Sequence, residues 1–328
     1  MMATEQISPD QRSTRPRIAQ NGRLMPALEA DLAARYDVLP LWQSADPVAA
    51  LQGAGAGVLA LVTSAPVGAS ASLIAALPNL QLVASFGVGT EQIDLAALQQ
   101  RGVPATYTPE VLDNCVADTA FGLLISVARG MPAADRFVRR GDWPQGRFGL
   151  ATRVSGKRLG ILGLGRIGQA IARRSSGFDM AVRYTNRQPR SDVPWRFEPS
   201  LLALADWADF LVVAAAGGPS SQGLVNAAVL KALGSSGFLI NVARGSLVDE
   251  AALVQALQQG HIAGAGLDVF AHEPHVPPAL LVLDNVVLLP HVASATHETR
   301  QAMADLVLAN LQAHFEGRPL PTPIPGLD

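Results

Sequence analysis

The segment Lys157–Gly168, reading K-R-L-G-I-L-G-L-G-R-I-G, constrains this chain more than any other. An apolar run, Leu159–Leu162, meets Gly163, Gly165 and Gly168 at G-x-G-x-x-G spacing, and a helical pattern follows from Gln169 to about Arg174. Glycine is needed at a tight turn, where backbone approaches a pyrophosphate, and where a helix packs close on its strand. The new helix N-terminus then offers N–H groups and a partial positive charge to that phosphate. Glycines at this spacing alone would fit an ordinary turn. Between a readable strand and a readable helix they predict a dinucleotide site.

The 328 residues leave room for two domains. Nearly half are apolar and the net charge is −2, which excludes a disordered chain and gives no electrostatic footprint for nucleic acid. Cys115 is the only cysteine, so no intrachain disulfide or thiolate metal cluster is expected; its apolar helical setting predicts a small buried residue. Met1–Arg17 is polar and reads as a frayed extension without a signal-peptide core. From Pro47 to Thr90 no residue is charged, but glycines and prolines interrupt the run well short of the roughly 20 apolar residues of a membrane span. A soluble, cytoplasmic protein is expected.

Val58–Val62 and Gln81–Ser85 read as buried parallel strands, with a crossover helix at Ser72–Leu77 and short helices at Leu28–Ala34 and Val48–Gln52. Ser85-Phe86-Gly87-Val88-Gly89-Thr90 follows the second strand. It fits a nest of N–H groups facing an anion as well as it fits a plain strand-to-helix turn. Thr108, as cap, and Pro109, at the first helical position, predict a long helix running to Gly130. Arg136, Arg139, Arg140 and Arg147 around Trp143 read as solvated surface.

Beyond the glycine loop, Met180–Thr185 reads as a strand followed by Asn186-Arg187, where a ribose-binding carboxylate would be usual. Asn186 can donate to a 2′-phosphate and Arg187 can pair with one, which favours NADPH, with NADH possible. Phe210–Ala214, Phe238–Val242, Ala265–Phe270 and Val286–Leu289 add four strands, alternating with helical material, and predict a doubly wound parallel sheet. Arg244, Asp268, Glu273 and His291 stand at the carboxyl ends of these strands, where such sheets bind ligands. Reduction of a ketone needs a proton donor and a cation to hold the substrate. His291 beside Glu273 suits the donor, because a carboxylate favours the protonated ring. Arg244 suits a planar two-point contact with a 2-oxo carboxylate, and Asp268 could orient the cofactor or Arg244. His261, His272, His275, His297 and His314 read as structural or exposed. No metal-ligand spacing is present, and no metal is expected.

Taken together, S-F-G-V-G-T at Ser85–Thr90, T-P-E-V-L-D-N-C-V-A-D at Thr108–Asp118, G-L-G-R-I-G at Gly163–Gly168, N-V-A-R-G-S-L-V-D-E at Asn241–Glu250, G-L-D-V-F-A-H-E-P at Gly266–Pro274 and L-P-H-V-A-S-A-T at Leu289–Thr296 resemble the D-2-hydroxyacid dehydrogenase family. The similarity is strongest to its glyoxylate/hydroxypyruvate and hydroxyphenylpyruvate reductases. The resemblance implies an α/β fold of two Rossmann-like domains with parallel sheets and the active site in the interdomain cleft. The substrate-binding domain would span 1–105 and regain 292–328, including a helix over Glu298–Phe315; the dinucleotide-binding domain would span 106–291. It further implies that Arg244 anchors substrate, Glu273 partners the imidazole and His291 donates the proton. Val88 and Gly89 would bind the substrate carboxylate. Arg166 and Ile167, with the three glycines, would contact phosphate. Ala243 and Asp268 would join the cofactor contacts, Asp268 at the nicotinamide amide. A small 2-oxo acid substrate and a homodimer are implied, with Trp143 near the partner's active site. Two positions depart from the family: Ala214–Pro219 lacks the usual proline and threonine, and Thr90-Glu91 leaves substrate size open. The competing reading is a cofactor-sensing, corepressor-like binding protein on the same scaffold; a phosphite- or formate-type dehydrogenase fits ketone-directed acid chemistry less well.

Overall fold

Short apolar runs between helical segments build two sheets in the computed structural model, which describes residues 15–327. The described chain up to Pro109, together with Arg300 onward, forms one unit, and Glu110–Thr299 forms the other.

The first unit holds β1 (Arg17–Gln20), β2 (Asp37–Pro40), β3 (Ala60–Ser64), β4 (Leu82–Phe86) and β5 (Ala105–Thr106), ordered β2-β1-β3-β4-β5 with every pairing parallel. β3 and β4 are buried almost throughout, as parallel strands covered on both faces must be. Helices Ala71–Ala75 and Leu95–Gln100 start on caps, where Ser70 Oγ and Asp94 Oδ1 accept backbone N–H groups at 3.2 and 2.9 Å. Two expectations need correction here. Arg17 opens β1 and pairs with Asp37 at 2.6 Å, so it is no part of a frayed extension, while residues 1–14 lie outside the described residues. R-I-A-Q has polar ends and only four residues, so its strand character comes from flanking partners β2 and β3. Val48–Gln52 forms only a 3-10 turn at Ala49–Leu51.

The second unit holds β6 (Arg158–Leu162), β7 (Ala181–Thr185), β8 (Arg196–Phe197), β9 (Phe210–Val213), β10 (Phe238–Asn241), β11 (Gly264–Leu267) and β12 (Val286–Leu288). Their order, β12-β11-β10-β9-β6-β7-β8, is the doubly wound 3-2-1-4-5-6 arrangement with a seventh strand added, all parallel. The order reverses between β6 and β9, so the glycine loop after β6 lies at the topological switch point. Helix Asp113–Ala128 packs against helix Arg166–Arg174 and against β10 and β11. It starts later than the Thr108-Pro109 cap predicts. Glu110 takes a left-handed φ of 72°, and Thr108 is engaged elsewhere, its Oγ1 accepting the Gly87 N–H at 3.0 Å. A tertiary partner thus took the hydroxyl that local pattern assigned to the helix. Cys115 is half-buried, its Sγ 3.7 Å from Thr296 Oγ1.

Candidate active site

The turn from β6 into helix Arg166–Arg174 uses its glycines for different reasons. Gly163 has φ 96°, and a Cβ there would lie 2.4 Å from the backbone of Ala215. A Cβ on Gly168 would lie 2.1 Å from the Gly163 carbonyl oxygen. At Gly165 an added Cβ would meet nothing within 4 Å: the backbone there borders open space, a cradle a side chain would fill. That matches the division among turn, phosphate approach and helix packing expected from the spacing. Gly165 is also the N-cap and no side chain caps the helix, so a dinucleotide phosphate fits these donors. Arg166 lies beside Asp113 (3.6 Å) and Glu110 (3.9 Å), and burial pushes the Asp113 carboxyl up.

Past β7, Asn186 Oδ1 accepts the Leu164 N–H at 2.7 Å, which fixes the amide against the glycine loop. Neither its NH2 group nor the exposed Arg187 guanidinium has a hydrogen-bond partner among the described residues. The residues that follow this strand, Asn186 to Arg190, include no carboxylate.

At the carboxyl end of β10 the buried Asn241 brackets Arg244: its Oδ1 accepts the Ala243 N–H at 3.0 Å and its Nδ2 donates to the Arg244 carbonyl at 2.9 Å. Arg244 Nη1 donates to the Ala243 carbonyl at 2.7 Å. Gly245 then lies so close to Phe270-Ala271 that a Cβ would come within 1.9 Å of the Phe270 carbonyl carbon. The Arg244 turn is thereby seated against the loop that carries Glu273.

That loop and the one after β12 meet through Asp268, which is fully buried. Asp268 accepts from the Val292 N–H at 2.7 Å and the Ala293 N–H at 2.9 Å, and its carbonyl accepts the His291 N–H at 2.8 Å. Burial pushes its carboxyl up, against two amides that favour the charged form. His291 itself sits at φ 54°, an uncommon conformation for a side-chain-bearing residue, and this clamp holds it there. Glu273 Oε2 stands 2.7 Å from His291 Nδ1, while Oε1 accepts the Phe270 N–H at 3.0 Å. With Nδ1 engaged, Nε2 is the ring nitrogen left to face a ligand, on side chains 39% and 34% exposed. Expected strand-end residues Arg244, Asp268, Glu273 and His291 do gather on one edge of this sheet. Asn241, which brackets the Arg244 turn, was missed; its signal was a polar residue closing the apolar strand three residues before Arg244.

Of the other histidines, His261, His272, His275 and His297 are exposed. His314 packs its ring 5.1 Å from that of Phe315, and burial disfavours its charged form. The arginine cluster is surface: Arg136 pairs with Asp284, Arg139 with Asp135 and Arg140 with Asp142.

In the first unit, Gly87 follows β4 at φ 140° and exchanges two hydrogen bonds with Thr108, donating to its Oγ1 and accepting its N–H at 2.9 Å. The next N–H groups, on Val88 and the buried Gly89, have no hydrogen-bond partner among the described residues. Successive backbone amides left this way suit an anion.

A glycine loop at the switch point of this sheet, with an arginine and a carboxylate–imidazole pair at neighbouring strand ends, defines a nicotinamide-dependent oxidoreductase scaffold. The family model of the D-isomer specific 2-hydroxyacid dehydrogenase NAD binding domain matches residues 121–293. The chain belongs to the D-isomer specific 2-hydroxyacid dehydrogenase family. It is 47% identical over 297 residues to glyoxylate/hydroxypyruvate reductase A of Arabidopsis thaliana, covering 90% of this chain and 95% of that one. It is 46% identical over 297 residues to hydroxyphenylpyruvate reductase of Plectranthus scutellarioides, with the same coverage. The structure of NADPH-dependent glyoxylate/hydroxypyruvate reductase from Sinorhizobium meliloti, in complex with NADP and malonate, superposes with a TM-score of 0.87 at 43% identity, covering 95% of this chain and 97% of that one.

Proposed function

We propose that this protein reduces a small 2-oxo acid (hydroxypyruvate, glyoxylate or an arylpyruvate) to the D-2-hydroxy acid, with NADPH preferred over NADH. The observation that carries the reading is the 2.7 Å Glu273–His291 contact at the strand ends beside Arg244. The bound reduced nicotinamide supplies the hydride. His291 donates a proton from Nε2 to the substrate carbonyl oxygen, so that no free alkoxide has to form. Glu273 holds the ring through Nδ1 and balances its positive charge. Arg244 grips the substrate carboxylate with its planar fork, and the Val88 and Gly89 N–H groups donate to the same carboxylate. Gly163, Gly165, Arg166, Ile167 and Gly168 are assigned to the pyrophosphate. Ala243 and Asp268 are assigned to the nicotinamide side, Asp268 through the loop it holds.

NADPH preference rests on Asn186 and Arg187, whose donors await an acceptor at the expected ribose position, and on the NADPH-dependent relative from Sinorhizobium meliloti. A homodimer is assigned from the apolar side chains around Trp143, which is 67% exposed, with Phe148 at 42% and Leu150 fully exposed nearby. The one free cysteine suits a reducing compartment such as the cytoplasm. No helix among the described residues is long and apolar enough to cross a membrane. The corepressor-like reading has no observation in its favour. His291→Ala tests the reaction: kcat for reduction should fall about a hundredfold to ten-thousandfold, the usual worth of a general acid, with NADPH affinity little changed. Wild-type kcat in that variant would dismiss the assignment.

A further inference from the structure

Tyr184 belongs to β7 and is fully buried, although its ring ends in a polar hydroxyl. Parallel pairing with β6 on one side and β8 on the other sets its place, and the Phe197 ring lies 5.5 Å from its own. Close packing leaves such a ring little freedom, so its hydroxyl is delivered to a fixed point. That point is the backbone of Arg190: the hydroxyl accepts the Arg190 N–H at 2.8 Å and donates to the Arg190 carbonyl at 3.3 Å. The tie uses only the Arg190 backbone, its guanidinium being paired with Asp192, Nε to Oδ1 at 3.0 Å. Between the two ends run Asn186, Arg187, Gln188 and Pro189, which carry the donors assigned above to the 2′-phosphate. Asn186 is held separately, its Oδ1 accepting the Leu164 N–H. The exposed Arg187 thus stands in a short loop tied at both ends.

We propose that Tyr184 is a positioning residue for cofactor choice: its hydroxyl closes the loop and so holds Arg187 ready for a 2′-phosphate. This rests on the NADPH preference proposed above. Ordering a loop together with an arginine side chain costs conformational entropy, and a loop ordered beforehand spares the ligand that cost. NADH has no 2′-phosphate, gains nothing from Arg187, and is indifferent to the tie. Asn186 keeps its own anchor whether or not the hydroxyl is present. A tyrosine that only filled the core would affect both cofactors alike.

Tyr184→Phe removes the hydroxyl and keeps the ring. The Kd for NADPH, read by nicotinamide fluorescence, should rise about twofold to tenfold, the scale of one hydrogen bond between uncharged groups. The Kd for NADH should stay at the wild-type value and reports correct folding. In an Arg187→Ala background the same substitution should cost NADPH nothing further, because the two residues act as a unit. Pro189→Gly frees the same loop from an exposed position, where proline fixes φ, and should repeat the NADPH-selective loss even if Tyr184→Phe fails to fold. Equal losses with both cofactors, an unchanged Kd for NADPH, or additive losses in the double variant would overturn the proposal while leaving the NADPH preference standing. A wild type that binds both cofactors equally, with no effect of Arg187→Ala, would overturn both.

Discussion

Replacing Glu273 by glutamine perturbs the acid pair with the least change of shape. Glu273 makes two contacts, Oε2 with His291 Nδ1 at 2.7 Å and Oε1 with the Phe270 N–H at 3.0 Å. A glutamine keeps an oxygen for Phe270 but turns an uncharged NH2 group toward the imidazole. The charge-assisted bond that disappears would be worth about 1.5–3 kcal/mol if shielded. The two side chains are 39% and 34% exposed, so solvent screening brings the ground-state loss to about 1 kcal/mol, roughly a fivefold effect. The loss in catalysis should be larger, because the ring must keep its orientation while it gives up a proton. Of the hundredfold to ten-thousandfold that a general acid contributes, the variant should forfeit about tenfold to a hundredfold in kcat. Glu273→Ala should be worse and less stable, since it also leaves the Phe270 N–H without its acceptor, at a cost of about 1–3 kcal/mol. Initial rates of hydroxypyruvate reduction at saturating NADPH provide the assay. A wild-type kcat in the glutamine variant would refute the pairing.

Arg187→Ala should weaken NADPH binding about tenfold to a hundredfold, the loss of 1.5–3 kcal/mol of charge-assisted contact, and leave NADH binding nearly unchanged; titrations with both cofactors check it. Arg244→Lys keeps a positive charge but not the planar fork, so kcat/KM for 2-oxo acids should fall severely while NADPH affinity holds; wild-type kcat/KM in this variant would remove Arg244 from the anchor role.

Much of the second unit was legible in the sequence because its signals are local. The strand-glycine-helix run at Leu159–Arg174 carries its own period, turn and helix start, and the strands from Phe210 to Leu288 are apolar runs between turns. Chemistry at strand ends followed from that alternation, since Arg244, Glu273 and His291 occupy the places where doubly wound sheets expose functional groups. What escaped depends on partners distant in sequence. β1 is a strand because β2 and β3 flank it, and Thr108 left its helix for the Gly87 amide. The Asp268 clamp on Val292 and Ala293 and the Asn241 bracket on Arg244 belong to the same class. Spacing marks which residues reach a strand end, but not which buried group holds them there.

The central claim is reduction of a 2-oxo acid by a reduced nicotinamide cofactor with the carboxylate as handle. It is tested most directly by following reduced-nicotinamide absorbance with the purified protein. The panel comprises hydroxypyruvate, glyoxylate, an arylpyruvate and a ketone lacking the carboxylate, each with NADPH and with NADH. The account predicts absorbance loss with at least one 2-oxo acid, higher kcat/KM with NADPH, and little activity on the simple ketone. No turnover of any 2-oxo acid with either cofactor, or a simple ketone reduced as well as the acids, would contradict it.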